Sequence, residues 1–208
     1  MKARVEKRRF VQVAERGLSP VLAFFLLAPA TAAAHVQGGE ASGLWSGLTH
    51  PMAGWDHVLA MVAVGIWGAQ LGQPAIWVLP VTFPVVMAFG GMLGLMGLAL
   101  PGVEFGIAIS AVVLGILVLG EVKPPLWIAV VIVSVFAIFH GHAHGTELPA
   151  GSSGVYYSIG FVTATGTLHA LGITIGLIHR WSAGRVVLRA GGAAVSLAGV
   201  LFLVRAVG

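Results

Sequence analysis

Cysteine is absent from the 208 residues, which excludes disulfides, thiolate metal sites and iron–sulfur clusters. Charge is scarce as well. Only 9% of the residues are Asp, Glu, Lys or Arg, against about 25% in a soluble globular domain. That leaves too little polar surface to cover a water-facing globule. There is no Gly-rich phosphate-binding loop and no room for an ATPase domain. The net charge of +4 comes wholly from residues 1–34, where Lys2, Arg4, Lys7, Arg8, Arg9 and Arg16 outweigh Glu6 and Glu15. Beyond them five basic and five acidic residues cancel, so the basic balance gives no footing to nucleic-acid binding.

What the chain does have is apolar sequence. Hydrophobic residues make up 58% of it, gathered in runs of 18 or more, the length that crosses about 30 Å of hydrocarbon. The lipid bilayer is therefore the expected solvent. Residues 1–17 form a basic segment, and Leu18 to Ala30 an apolar stretch too short to span comfortably. Ala32-Ala33-Ala34 is a small-residue cleavage site. This order is that of a secretory signal peptide, residues 1–34. Cleavage leaves His35 at the new N-terminus, where an amine beside an imidazole can chelate a metal; a plain flanking role is the preferred reading. Residues 35–208 then form one domain, an all-α bundle of six transmembrane helices near residues 55–72, 75–98, 103–121, 125–143, 155–178 and 186–206. Gly68 with Gly72 and Gly172 with Gly176 have the four-residue spacing of close helix packing. A cleaved signal puts the mature N-terminus outside. The loops that then face the cytoplasm, with their flanks, hold Lys123, Arg180, Arg185 and Arg189, against Arg205 on the outer side, in keeping with the positive-inside rule.

Ionisable residues inside such segments are costly and are functional candidates by default. One group leads into the first segment: His50, Asp56 and His57, with Pro51 suited to a helix start. In a continuous helix His50 and His57 share a face, and Asp56 lies near the positive end of the helix dipole, as a metal-site carboxylate or a cap. A second group closes the fourth segment: His140, His142, His144 and Glu147. His140, His144 and Glu147 share a helical face, while His142 points elsewhere. Gly141 and Gly145 permit unwinding that would turn backbone carbonyls to an ion. The two segments run in opposite directions, so both groups meet at the outer membrane face. Glu104 begins the third segment at the same level, either completing the coordination or capping its helix. His169 lies midway along the fifth segment amid Thr163, Thr165, Thr167 and Thr174. It is either a step on an ion path or a proton carrier, or it bonds a backbone carbonyl across a helix interface. His179 borders the basic loop as an interfacial residue.

With those residues in view the chain resembles the HupE/UreJ family of hydrogenase and urease accessory membrane proteins. The resemblance rests on His50 to His57 (H-x5-D-H), followed by Val58 to Gly65, and on Phe139 to Glu147 (F-H-G-x-A-H-G-x-E). It covers essentially the whole mature chain. It implies a secondary permease or facilitator in the bacterial inner membrane that imports nickel for hydrogenase or urease maturation. The implied metal-handling residues are His50, Asp56, His57, His140, His144 and Glu147, with His142 at the family's variable position. Imidazole and carboxylate by themselves suit nickel, cobalt, zinc and copper alike. No prosthetic group is expected, and nickel enters as transported substrate. The competing classes are an intramembrane metal-dependent hydrolase, with Glu147 or Asp56 as general base, and a metal sensor or store.

Overall fold

A computed structural model describes residues 40–207 of the chain, with side chains over 43–206. The leader and His35 lie outside the described residues. Every regular element among those described is helical: α1 (Glu40–Ala53), α2 (Trp55–Leu71), α3 (Ala75–Leu95), α4 (Val103–Leu119), α5 (Leu126–Thr146), α6 (Gly154–Gly176) continued by a 3-10 turn (Leu177–Arg180), and α7 (Ser182–Val207).

The side-chain distribution is that of a protein dissolved in lipid. On α3 an exposed stripe recurs every four residues through Trp77, Val81, Val85 and Phe89. On α7 the exposed residues include Val186, Leu197, Leu201 and Val204. A water-facing helix would put polar groups there. Four segments are each long and apolar enough to cross a bilayer: Ala75–Leu95, Leu126–Thr146, Gly154–Arg180 and Ser182–Ala206. Gly43–Ala53 and Trp55–Leu71 qualify only as a pair, bent by 83°. Val103–Leu119 is shorter, about 25 Å at 1.5 Å per residue. The chain is a multi-pass membrane protein.

Small residues set the packing. Gly141 and Gly145 of α5 lie so close to α3 that a Cβ on either would run into the carbonyl of Met87 or Gly91. This corrects the expectation that they unwind the helix: α5 stays helical through Thr146, and its glycines bring α3 near. Gly172 and Gly176 do pack, against Val62, Gly65 and Ile66 of α2. Gly72 does not; it has open space around it and a φ of 79°, and it ends α2 in a turn. These contacts also give directions. Met87 faces Gly141 and Gly94 faces Gly145, so α3 and α5 run parallel. Val62 meets Gly172 and Ile66 meets Gly176, so α2 and α6 are parallel too. Helix α2 is the centre of the bundle, buried continuously from Ala63 to Gln70. Its Trp67 Nε1 and Gln70 Nε2 donate to the carbonyls of Val122 and Val118 (2.9 and 3.1 Å), tying it to the end of α4.

The start of α2 departs from expectation. No continuous helix carries His50 and His57. Gly54 breaks it in an extended conformation (φ −98°, ψ 115°), and Pro51 lies inside α1 instead of starting α2. Glycine is a poor helix residue, and the break lets α1 turn away to pack on α6. There Gly47 meets Tyr157 and Gly160 meets Leu44.

Candidate metal site

Three elements converge at the end of the bundle where α5 stops and α2 starts. His50 comes from the last turn of α1, Asp56 and His57 from the first turn of α2, and His140, His144 and Glu147 from the end of α5. The His57 ring centroid lies 4.8 Å from that of His140 and 4.7 Å from that of His144, and His144 lies 5.1 Å from His50. The bend at Gly54 thus achieves by a corner what a shared helix face was expected to do.

The group has a wet rim and a dry interior. At the rim, one ligand atom each of His50, His144 and Glu147 lies within 4.8 Å of the others, a spacing that suits a shared cation. His50 Nε2 and Glu147 Oε2 are 2.7 Å apart, with both side chains partly exposed. That hydrogen bond holds the Glu147 carboxyl below its ordinary range, so it stays ionised. Tyr157 backs the rim, its ring 6.0 Å from His50 and its hydroxyl buried without a hydrogen bond. Phe161 stacks on His144 at 5.4 Å.

Deeper in, the imidazoles are oriented. His57 Nδ1 lies 3.0 Å from Asp56 Oδ1, which also accepts the His57 backbone N–H at 2.8 Å. His140 Nδ1 lies 3.0 Å from the Phe136 carbonyl. His169 Nδ1 lies 3.2 Å from the Pro80 carbonyl of α3. A carboxylate or carbonyl only accepts, so in each neutral ring Nδ1 carries the proton and Nε2 the lone pair. All three Nε2 atoms are buried and make no hydrogen bond. A buried polar atom left unpaired is costly. Each of these rings is thus in the tautomer that can ligate a metal through Nε2, whereas the three ligand atoms that lie close together are those of His50, His144 and Glu147.

The remaining candidates fall outside this group. His142 turns away as expected, and its Nε2 donates to the Leu98 carbonyl at 2.7 Å, fastening α5 to the turn after α3. Glu104 is exposed in the first turn of α4 and does not belong to the His50–His144–Glu147 group. Of the threonines near His169, Thr163, Thr167 and Thr174 are exposed and bond carbonyls of their own helix; Thr165 alone is buried.

Most of the chain is similar to known proteins. The family model described as HupE / UreJ protein matches residues 22–202. The chain belongs to the HupE/UreJ family. Protein HupE of Rhizobium leguminosarum bv. viciae is 50% identical over 179 residues, 86% of this chain and 93% of the relative. No solved structure matches. In this HupE/UreJ member, reading the sequence missed Tyr157 and Phe161 as walls of the site, and Phe83 as the ring between His140 and His169. One signal was present for the third oriented histidine: Pro84 has no N–H, so the carbonyl of Pro80, four residues earlier, is left for another donor. His169 fills that role.

Proposed function

We propose that the chain is a secondary permease or facilitator, not an enzyme. It imports a divalent transition-metal cation, nickel foremost, across the bacterial inner membrane for hydrogenase or urease maturation. Residues 1–34 are its signal peptide, six helices span the membrane, and the histidine end faces the periplasm. The observation that carries the reading is the continuity of the imidazoles. They begin at the part-exposed His50–Glu147 pair and pass through His144 and His57 to the fully buried His140. A binding pocket needs a single set of ligands, whereas a path needs exchangeable ones in series, each strong enough to replace water and weak enough to release. His50, His144 and Glu147 strip part of the hydration shell, His57 and His140 take the ion inward, and His169 receives it. Asp56 acts through His57, whose ring it orients. His142 and Glu104 have no direct part.

The deciding experiment uses purified chain in liposomes loaded with a metal-sensitive dye, with Ni2+ added outside. Influx that depends on His144 is expected, with Co2+ and Zn2+ as competitors. Binding of Ni2+ without influx would instead mark a hydrolase or a metal sensor or store.

A further inference from the structure

The ring of Phe83 links the two parts of this path. Its centroid is 5.5 Å from that of His140 and 5.5 Å from that of His169, at interplanar angles of 73° and 81°. It is fully buried. Among the described residues no ring contact joins His140 to His169 directly, although each presents a buried Nε2 without a hydrogen bond. A phenyl ring offers a metal dication no lone pair, and an apolar constriction resists both water and ions.

The backbone beneath this ring is loosened. Phe83 lies between Pro80 and Pro84 inside α3. Neither proline has an N–H, so the carbonyls of Ile76 and Pro80 lose their partners within the helix. The Pro80 carbonyl is the one that accepts from His169. The turn that carries Phe83 is therefore held by fewer backbone bonds than the rest of α3, and turns of this kind are where helices bend. The same carbonyl couples that turn to the His169 ring.

We propose that Phe83 is the gate of the pathway, a movable apolar ring that separates an outer imidazole station, His57 and His140, from an inner one, His169. The proposal rests on the permease reading of the site. Closed, the ring keeps the outer station from emptying inward. Flexing of α3 at Pro80 and Pro84 swings it aside and lets one ion move from Nε2 of His140 to Nε2 of His169.

The test compares Phe83→Leu, Phe83→Ala and Phe83→Trp with the unaltered chain in two measurements. One is Ni2+ influx into dye-loaded proteoliposomes; the other is calorimetric Ni2+ binding to the purified protein. Variants are compared where they elute from size exclusion like the unaltered chain, and Leu and Trp decide if Ala does not fold. A gate predicts influx rising several-fold in Leu and further in Ala, and falling about tenfold in Trp, with Ni2+ affinity unchanged throughout. Equal influx in Leu and Trp, or reduced influx in both, overturns the gate. Loss of binding in step with influx overturns it too, by making Phe83 a packing residue. If the unaltered chain binds Ni2+ but passes none, the permease reading fails, whatever the variants do.

Discussion

The Asp56 Oδ1 accepts from two N–H groups of His57, its backbone N–H and its Nδ1–H. Its effect is to fix the tautomer and direction of that ring. Loss of such a partner typically costs roughly 10–100-fold in metal affinity or activity. Asp56→Ala should therefore lower Ni2+ influx by that factor while membrane content stays normal. Asp56→Asn, which keeps an acceptor oxygen, should retain most of it. Measured influx per unit of membrane protein distinguishes the two, and equal loss in both would make the charge itself the ligand. Glu147 is held below its ordinary range by its hydrogen bond to His50, so it is still ionised at pH 5. Its charge at the rim should therefore serve at pH 5 as at pH 7, and Glu147→Gln should lower Ni2+ influx at both values. Influx lost by the variant at pH 7 but not at pH 5 would show that the carboxyl is already neutral in mild acid.

Helices were legible where they are apolar and uninterrupted. The segments read near 75–98, 103–121 and 125–143 correspond to α3, α4 and α5 to within a few residues. The corner at Gly54 and the helix before it were not legible. Their cause is the packing of α1 on α6, which depends on residues a hundred positions away. Glycine roles were only half legible for the same reason. Four-residue spacing marks a smooth face but does not say which glycine meets a neighbour. Gly141 and Gly145, read as points of unwinding, are the closest approach of α5 to α3. This yields a paired prediction. Gly141→Ala would force its methyl into the Met87 carbonyl and should destabilise by about 1–3 kcal/mol, the usual cost of overpacking. Gly166 has open space around it, so Gly166→Ala should be neutral or gain up to about 1 kcal/mol from helix propensity. Melting temperatures in one detergent, with the two variants side by side, check both signs.

At the scale of the whole molecule the two ends of the bundle differ in kind. One end gathers His50, His57, His140, His144 and Glu147. At the other end lie Lys123, in the loop after α4, Arg180, in the turn that closes α6, and Arg185 and Arg189, near the start of α7. A charge asymmetry of this kind was readable before any fold was known, because loop composition does not depend on packing. What was not readable is that the interior between these ends is nearly neutral and offers a cation only lone pairs. Past Glu147 and Asp56 no buried side chain among the described residues is acidic, so on the permease reading an ion moving inward from them carries its full charge through the electric field. An inside-negative potential lowers the energy of inward movement by about 2.3 kcal/mol per charge per 100 mV, and by about twice that for an uncompensated dication. Liposomes holding the protein with its histidine end outward, given a potassium diffusion potential of inside-negative sign, should therefore take up Ni2+ faster than liposomes at zero potential. Reversing the sign should slow them. Protons exchanged one for one with each charge would cancel the net movement and abolish the voltage effect. A flat response to voltage, together with a response to an imposed pH gradient, would thus replace facilitated diffusion with electroneutral exchange while leaving the imidazole path itself intact.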